Sequence, residues 1–238
     1  MMTVDSLDRL EALQPGDHAA CLCDTAEEHA EVLSAFLRQG LARGEKIRYL
    51  VDKARPDAIL NALRNEGAAV DACLANGQLS FVFIEEVFGK KTFDPDGMIA
   101  WLEREEQRAL KQGYSALRVT GEMGWVVRGL VQAGGLMEFE LKLHAFLHHR
   151  KCLILCQYER QRFSSALLLY VLAVHPKIIY GTQVYGNCHF LPSPHLFDKD
   201  TPAVTLRHWL QELSLRKEAH RSDRCGTAFS SSGESESP

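Results

Sequence analysis

Five short apolar runs, Ala19 to Cys23, Ile47 to Val51, Leu79 to Ile84, Ala116 to Thr120 and Cys152 to Cys156, are each followed by a stretch whose apolar residues recur at helical spacing. Strands alternating with helices of this length predict a wound α/β sheet, because a parallel neighbour is reached only through a crossover. In the first unit Val32, Leu33, Phe36, Leu37 and Leu41 share one helical face, and Gly44 is placed to end the helix. In the second, Pro56 opens a helix carrying Ile59, Leu60 and Leu63, which stops before Gly67. Met98 to Leu110 reads as an amphipathic helix whose outer face, Glu103, Arg104, Glu106 and Arg108, is solvated. Leu136 to His149 and Ser165 to Val174 form two more, the last closed by the His175-Pro176 step. Lys177 to Tyr180 and Gln183 to Phe190 are placed for a hairpin around Gly181-Thr182. The expected fold is α/β, a three-layer wound, mostly parallel sheet with an antiparallel edge hairpin.

With 238 residues, 46% hydrophobic and 24% charged, the chain suits one α/β domain that buries a substantial core. A formal charge of -4 without a basic stripe argues against direct nucleic-acid binding. The seven cysteines are odd in number and scattered, with Cys152 and Cys156 inside an apolar run, a pattern of reduced thiols rather than a disulfide framework. The start, MMTVDSLDRLEAL, lacks the basic end and apolar centre of a signal peptide. Apolar runs such as Ala166 to Val174 fall well short of the ~20 residues that span a bilayer, so a cytoplasmic protein without membrane contact is expected. Residues 1–11 read as an N-terminal extension and 12–200 as the folded domain. Residues 201–217 read as a C-terminal helix over Val204 to Leu215, and 218–238, ending SSSGESESP, as a disordered tail.

Gly16 to Asp52 has the outline of a nucleotide-binding strand–loop–helix–strand unit without the phosphate chemistry. A phosphate loop needs glycine amides and a lysine, yet the turn reads Cys23-Asp24-Thr25-Ala26-Glu27-Glu28. Its carboxylates repel the anion a helix N-terminus would otherwise attract. Ligands of an open parallel sheet collect beyond the carboxyl ends of the strands. The residues there are Cys23, Asp24 and Glu28, then Asp52, then Glu85 and Glu86, then Gly121-Glu122-Met123-Gly124-Trp125, then Gln157-Tyr158-Glu159-Arg160. They describe a polar-rimmed pocket with aromatic walls for a small organic molecule, or else charges that cap helices and face water. No metal is expected. Cys21-Leu22-Cys23 near His18 and His29 lacks the CxxC turn of a zinc knuckle, and His144 with His148 lacks the glutamate of HExxH. No nucleophile is paired with a general base, so no catalytic residue and no cofactor are assigned.

PGDH at 15–18, GLARGE at 40–45 before the strand IRYLVD, RVTGEMGW at 118–125, LCQYERQRF at 155–163 and HPKIIYG at 175–181 together resemble the MEDS domain. That sensory domain is named for methanogens, methylotrophs and the dichloromethane-dehalogenase repressor, and the resemblance spans residues 12–197. It implies a RecA/KaiC-like fold that has lost its phosphate loop and senses simple hydrocarbon derivatives, attached to or working beside histidine kinases and DNA-binding modules. Relatives often carry an aromatic residue where this chain has Cys21 and Cys23. The resemblance adds His18, Glu122, Trp125, Tyr158 and Arg160 to Cys23 and Glu28 as candidate ligand-binding residues. His18 is either a ligand contact or a backbone hydrogen bonder, Glu122 a polar acceptor or a cap, and Trp125 a pocket wall or core. Arg160 meets a ligand carboxylate or pairs internally with Glu122. The function implied is a non-catalytic sensory module that binds a small organic ligand and relays to a separate kinase or transcription regulator. One alternative is a degenerate triphosphatase that serves as an interaction scaffold. Another is a methyltransferase-like enzyme using Asp52 for a ribose, which needs a glycine-rich first turn that is missing here.

Overall fold

The computed structural model describes residues 10–52, 57–88, 93–128 and 133–191. Its seven strands are β1 (His18–Cys23), β2 (Lys46–Val51), β3 (Leu79–Phe83), β4 (Leu117–Glu122), β5 (Cys152–Glu159), β6 (Lys177–Tyr180) and β7 (Gln183–Gly186). They form one sheet in the order β3-β2-β4-β5-β1-β6-β7, parallel throughout except for the antiparallel β6–β7 pair at the edge. The expected wound sheet with its edge hairpin is therefore what the chain builds.

The helices follow as α1 (Ala26–Ala42), α2 (Asp57–Asn65), α3 (Val70–Ala75), α4 (Ile84–Phe88), α5 (Pro95–Lys111), α6 (Gly124–Val127), α7 (Ala133–Leu147) and α8 (Ser165–Val174). Strand alternation sends Ala19, Cys21 and Cys23 to one face and Ala20 and Leu22 to the other. The first face packs on Val32, Leu33, Phe36 and Leu37 of α1 and on Ile59, Leu60 and Leu63 of α2. The second packs on α5, α7 and α8 through Met98, Leu102, Phe139, Leu143 and Val171. None of the described helices is long and apolar enough to cross a membrane.

Side-chain caps set the start of three helices. Thr25 accepts from Glu28 N at 3.1 Å, Asp94 from Asp96 N at 3.1 Å, and Ser164 from Leu167 N at 3.3 Å. Gly40 leaves room for a buried arginine: a Cβ there would lie 2.6 Å from Arg118 Cδ. The Arg118 guanidinium is fully buried, pairs with Glu45, and donates to the Phe36 carbonyl at 3.1 Å.

Several expectations need correction. Glu106 is buried rather than solvated, because its carboxylate accepts from Arg150 at 3.2 Å and from Lys151 N at 2.7 Å. The third strand stops at Phe83, and Ile84 begins α4. The seventh strand ends at Gly186, short of Phe190. In the other direction β4 and β5 run on through Glu122 and Glu159, with Glu122 opposite Gln157 and Cys23 opposite Glu159. Leu10, within the segment read as an extension, is buried in the core. Pro56 and everything from residue 192 on, including the expected C-terminal helix and tail, lie outside the described residues.

Candidate functional site

The turn after β1 closes on itself. Thr25 caps α1, Glu28 Oε2 accepts from Asp24 N at 2.7 Å, and Glu27 and Glu28 occupy the first turn. The amide donors a phosphate would use are thus met by this chain's own oxygens. Asp24 pairs with Arg160, whose Nη1 lies 2.8 Å from both carboxylate oxygens and 3.0 Å from the Tyr180 hydroxyl.

At the carboxyl ends of β2, β4 and β5, on the α1 side, runs a polar row. Glu122 accepts from Asp52 N at 2.9 Å, with the Tyr49 hydroxyl 3.4 Å away. Tyr49 also donates to Gln157 Oε1 at 3.1 Å, and His29 Nε2 reaches the same oxygen at 2.7 Å. Gln157 donates to Thr120 at 2.7 Å, which donates to the Leu155 carbonyl at 3.0 Å. Burial raises the Glu122 carboxyl above its ordinary range, and burial likewise raises the Tyr49 hydroxyl. Asp52 is held by Arg128, with Arg162 3.9 Å away, and a Cβ on Gly124 would meet both Asp52 and Arg162 at 2.7 Å. The carboxylate considered for a ribose is therefore engaged by arginine.

Along the sheet edge a cavity of about 660 Å³ opens between α8 and the β6–β7 hairpin. Leu22, Leu168, Leu172, Ile178 and Tyr185 form its apolar lining, and Arg160 and Tyr180 stand at its rim. Leu169, which also faces it, is 67% exposed, a large apolar side chain left open to solvent. The size falls in the range of small-molecule pockets, and a mostly apolar wall with few polar groups is their usual make-up.

A third cluster is wholly buried. His18 opens β1, Cys156 lies on β5 beside it, Glu140 comes from α7, and His175 joins α8 to β6. The His18 and His175 rings are 4.1 Å apart between centroids. Burial lowers both imidazoles, His175 to about 4, and pushes the Glu140 carboxyl up to about 8 and the Cys156 thiol well above its usual value.

The seven sequence candidates do not converge. His18 and Tyr158 share the buried cluster's face, with the Tyr158 ring 6.0 Å from that of His175. Trp125 is 2% exposed and stacks on Phe93 at 4.7 Å, so it is core. Cys23 is buried on the opposite face with its sulfur 3.1 Å from that of Cys21, and Glu122 belongs to the polar row. Glu28 caps α1, and Arg160 pairs with Asp24 rather than Glu122. Arg160 is the one of the seven on the apolar cavity. Sequence reasoning passed over Leu168, Leu172 and Ile178 there, and Glu140 in the buried cluster. For the leucines a signal existed: Ser165–Val174 is apolar around its whole circumference, more than one buried face requires.

The family described as MEDS, the methanogen/methylotroph, DcmR sensory domain, matches residues 17–176. Among curated proteins nothing matches. Among solved structures, the chain is similar to the flagellar accessory protein FlaH from Methanocaldococcus jannaschii, at 11% identity and a TM-score of 0.49, over 77% of this chain and 82% of that one. It is also similar to an uncharacterized protein from Pyrococcus horikoshii solved with an unknown peptide, at 13% identity and a TM-score of 0.49, over 67% of this chain and 75% of that one.

Proposed function

The chain belongs to the MEDS sensory family, and on that premise we propose that it is a non-catalytic cytoplasmic receptor for a small hydrocarbon derivative. The ligand's apolar body enters the cavity between α8 and the β6–β7 hairpin, and its polar end meets Arg160 and Tyr180. The observation that carries this is the cavity itself: about 660 Å³, walled by Leu168, Leu172 and Ile178, with a cation and a phenol at its mouth. An apolar molecule gains ~25 cal/mol for each Å² of surface it removes from water there, and the rim groups select its orientation. The carboxylate-rich first turn supports binding of something other than a nucleotide.

The position of the cavity supports the relay. The wall is an edge hairpin and one helix, so a bound molecule orders the last elements of the sheet, and a separate histidine kinase or transcription regulator reads that edge. Hexanol and hexanoate are suitable probes, with the same apolar body and different heads. Titration calorimetry should show saturable binding of at least one of them, and Leu172→Trp, which fills the cavity, should abolish it. Unaltered affinity in that variant would place the ligand elsewhere.

A further inference from the structure

Among the buried groups, those around Glu140 are hardest to reconcile with a structure held by protein contacts alone. Glu140 is 1% exposed, and neither of its carboxylate oxygens meets a hydrogen-bond donor among the described residues. His18 Nε2 is 3.4 Å and His175 Nε2 3.8 Å from Glu140 Oε2, while Cys156 Sγ is 3.7 Å from His18 Nε2. The two nitrogen–oxygen separations are too long for good hydrogen bonds, and an unpartnered buried carboxylate is costly. His175 Nδ1 lies 2.8 Å from the Val171 carbonyl, which only accepts, so Nδ1 carries the ring proton. That leaves the Nε2 lone pair of the neutral ring facing the carboxylate.

Four donor atoms, one from each residue, lie within 4.8 Å of one another. Around a tetrahedral zinc-class ion, with bonds of about 2.0–2.3 Å, ligand atoms sit about 3.3–3.6 Å apart. The separations of 3.4, 3.7 and 3.8 Å lie within a few tenths of an ångström of those values, and the remaining pairs, all within 4.8 Å, close by up to about 1.5 Å as the side chains turn onto the ion. We propose that His18, Glu140, Cys156 and His175 form a buried binding site for a divalent zinc-class metal ion. Two neutral imidazoles, one carboxylate and one thiolate bring two negative charges to a dication, so the filled site is neutral where the dielectric is low. Thiol and carboxylic acid each release a proton as the ion enters. Imidazole and thiolate select a borderline-soft ion over magnesium or calcium. The Val171 carbonyl fixes the His175 tautomer as an outer partner of a metal-ligating histidine does. The ion would tie α7 to β1, β5 and the α8–β6 junction. This site is separate from the apolar cavity and does not depend on the ligand proposed for it.

The test uses the full chain, stripped with a chelator and titrated with Co²⁺. One equivalent should produce the visible bands of four-coordinate cobalt and a near-ultraviolet thiolate-to-cobalt band, and Zn²⁺ should displace it. Cys156→Ser should lose the thiolate band, the Cys21→Ser/Cys23→Ser double variant should keep it, and Glu140→Gln should weaken binding at least tenfold. X-ray absorption at the zinc edge of the parent chain needs no variant. It should show one sulfur near 2.3 Å and three nitrogen or oxygen atoms at about 2.0–2.2 Å. No saturable Co²⁺ uptake, a thiolate band that survives in folded Cys156→Ser, or a zinc shell with two sulfurs or none would each overturn the site.

Discussion

Arg118 shows how much a single residue can ask of its neighbours. Its guanidinium is wholly buried, so Glu45 neutralises it, the Phe36 carbonyl accepts from it, and Gly40 gives it space. Glu45→Ala leaves a buried charge unpaired and should cost about 3–5 kcal/mol in urea unfolding. Gly40→Ala should cost about 1–3 kcal/mol, since the added methyl group must push the Arg118 stem aside. Glu122 gives a pH signature. Burial keeps its proton on above the ordinary value of 4.5, so just above that pH the folded chain holds more protons than the unfolded one. Stability from this group therefore falls as pH rises through the window. Glu122→Gln lacks the effect, so its melting temperature should gain on the parent's between about pH 4 and pH 7. A constant difference between the two pH values would refute this. At this scale the sequence was only partly legible. Trp125 read as a pocket wall or as core and Glu106 as solvated, and their neighbours decide both: Phe93 packs on the first, while Arg150 and the Lys151 amide hold the second in the interior.

Elements were far more legible than their ends. Apolar runs located β1 to β5 because a buried parallel strand must be apolar on both faces, while the Gly181-Thr182 turn located the β6–β7 edge hairpin. The same rule hid how far β4 and β5 extend, since Glu122, Gln157 and Glu159 stay in register with their partners although they are polar. Glu122 and Tyr158 consequently sit within strands, where alternation sends them to opposite faces. The short helices Val70–Ala75 and Ile84–Phe88 escaped notice because so few residues show no periodicity. The missing phosphate loop was readable from residue types alone, and the geometry adds that Thr25 and Glu28 satisfy the turn. Thr25→Ala should accordingly lower stability by ~1 kcal/mol through loss of the α1 cap, as followed by chemical denaturation. Titration with Mg-ATP should give no heat beyond dilution. Micromolar binding would mean that the first turn reopens to admit a triphosphate.

For the whole molecule, the winding of the sheet decides which distant residues meet. It places β1 between β5 and β6, and so brings His18 to Cys156, 138 positions away in sequence, and to His175. No local pattern announces such a meeting, which is why Glu140 drew no attention in the sequence. The same order puts β6 and β7 at the edge, where α8 and the hairpin leave the apolar cavity open. The central claim, that this cavity receives a small organic molecule, is tested most directly by methyl nuclear magnetic resonance of the full chain titrated with hexanol and hexanoate. Saturable shifts should concentrate at Leu22, Leu168, Leu172 and Ile178, with the methyls of Val51 and Leu155 on the face of the polar row unmoved. Shifts centred on Val51 and Leu155, or none anywhere at millimolar probe, would contradict it.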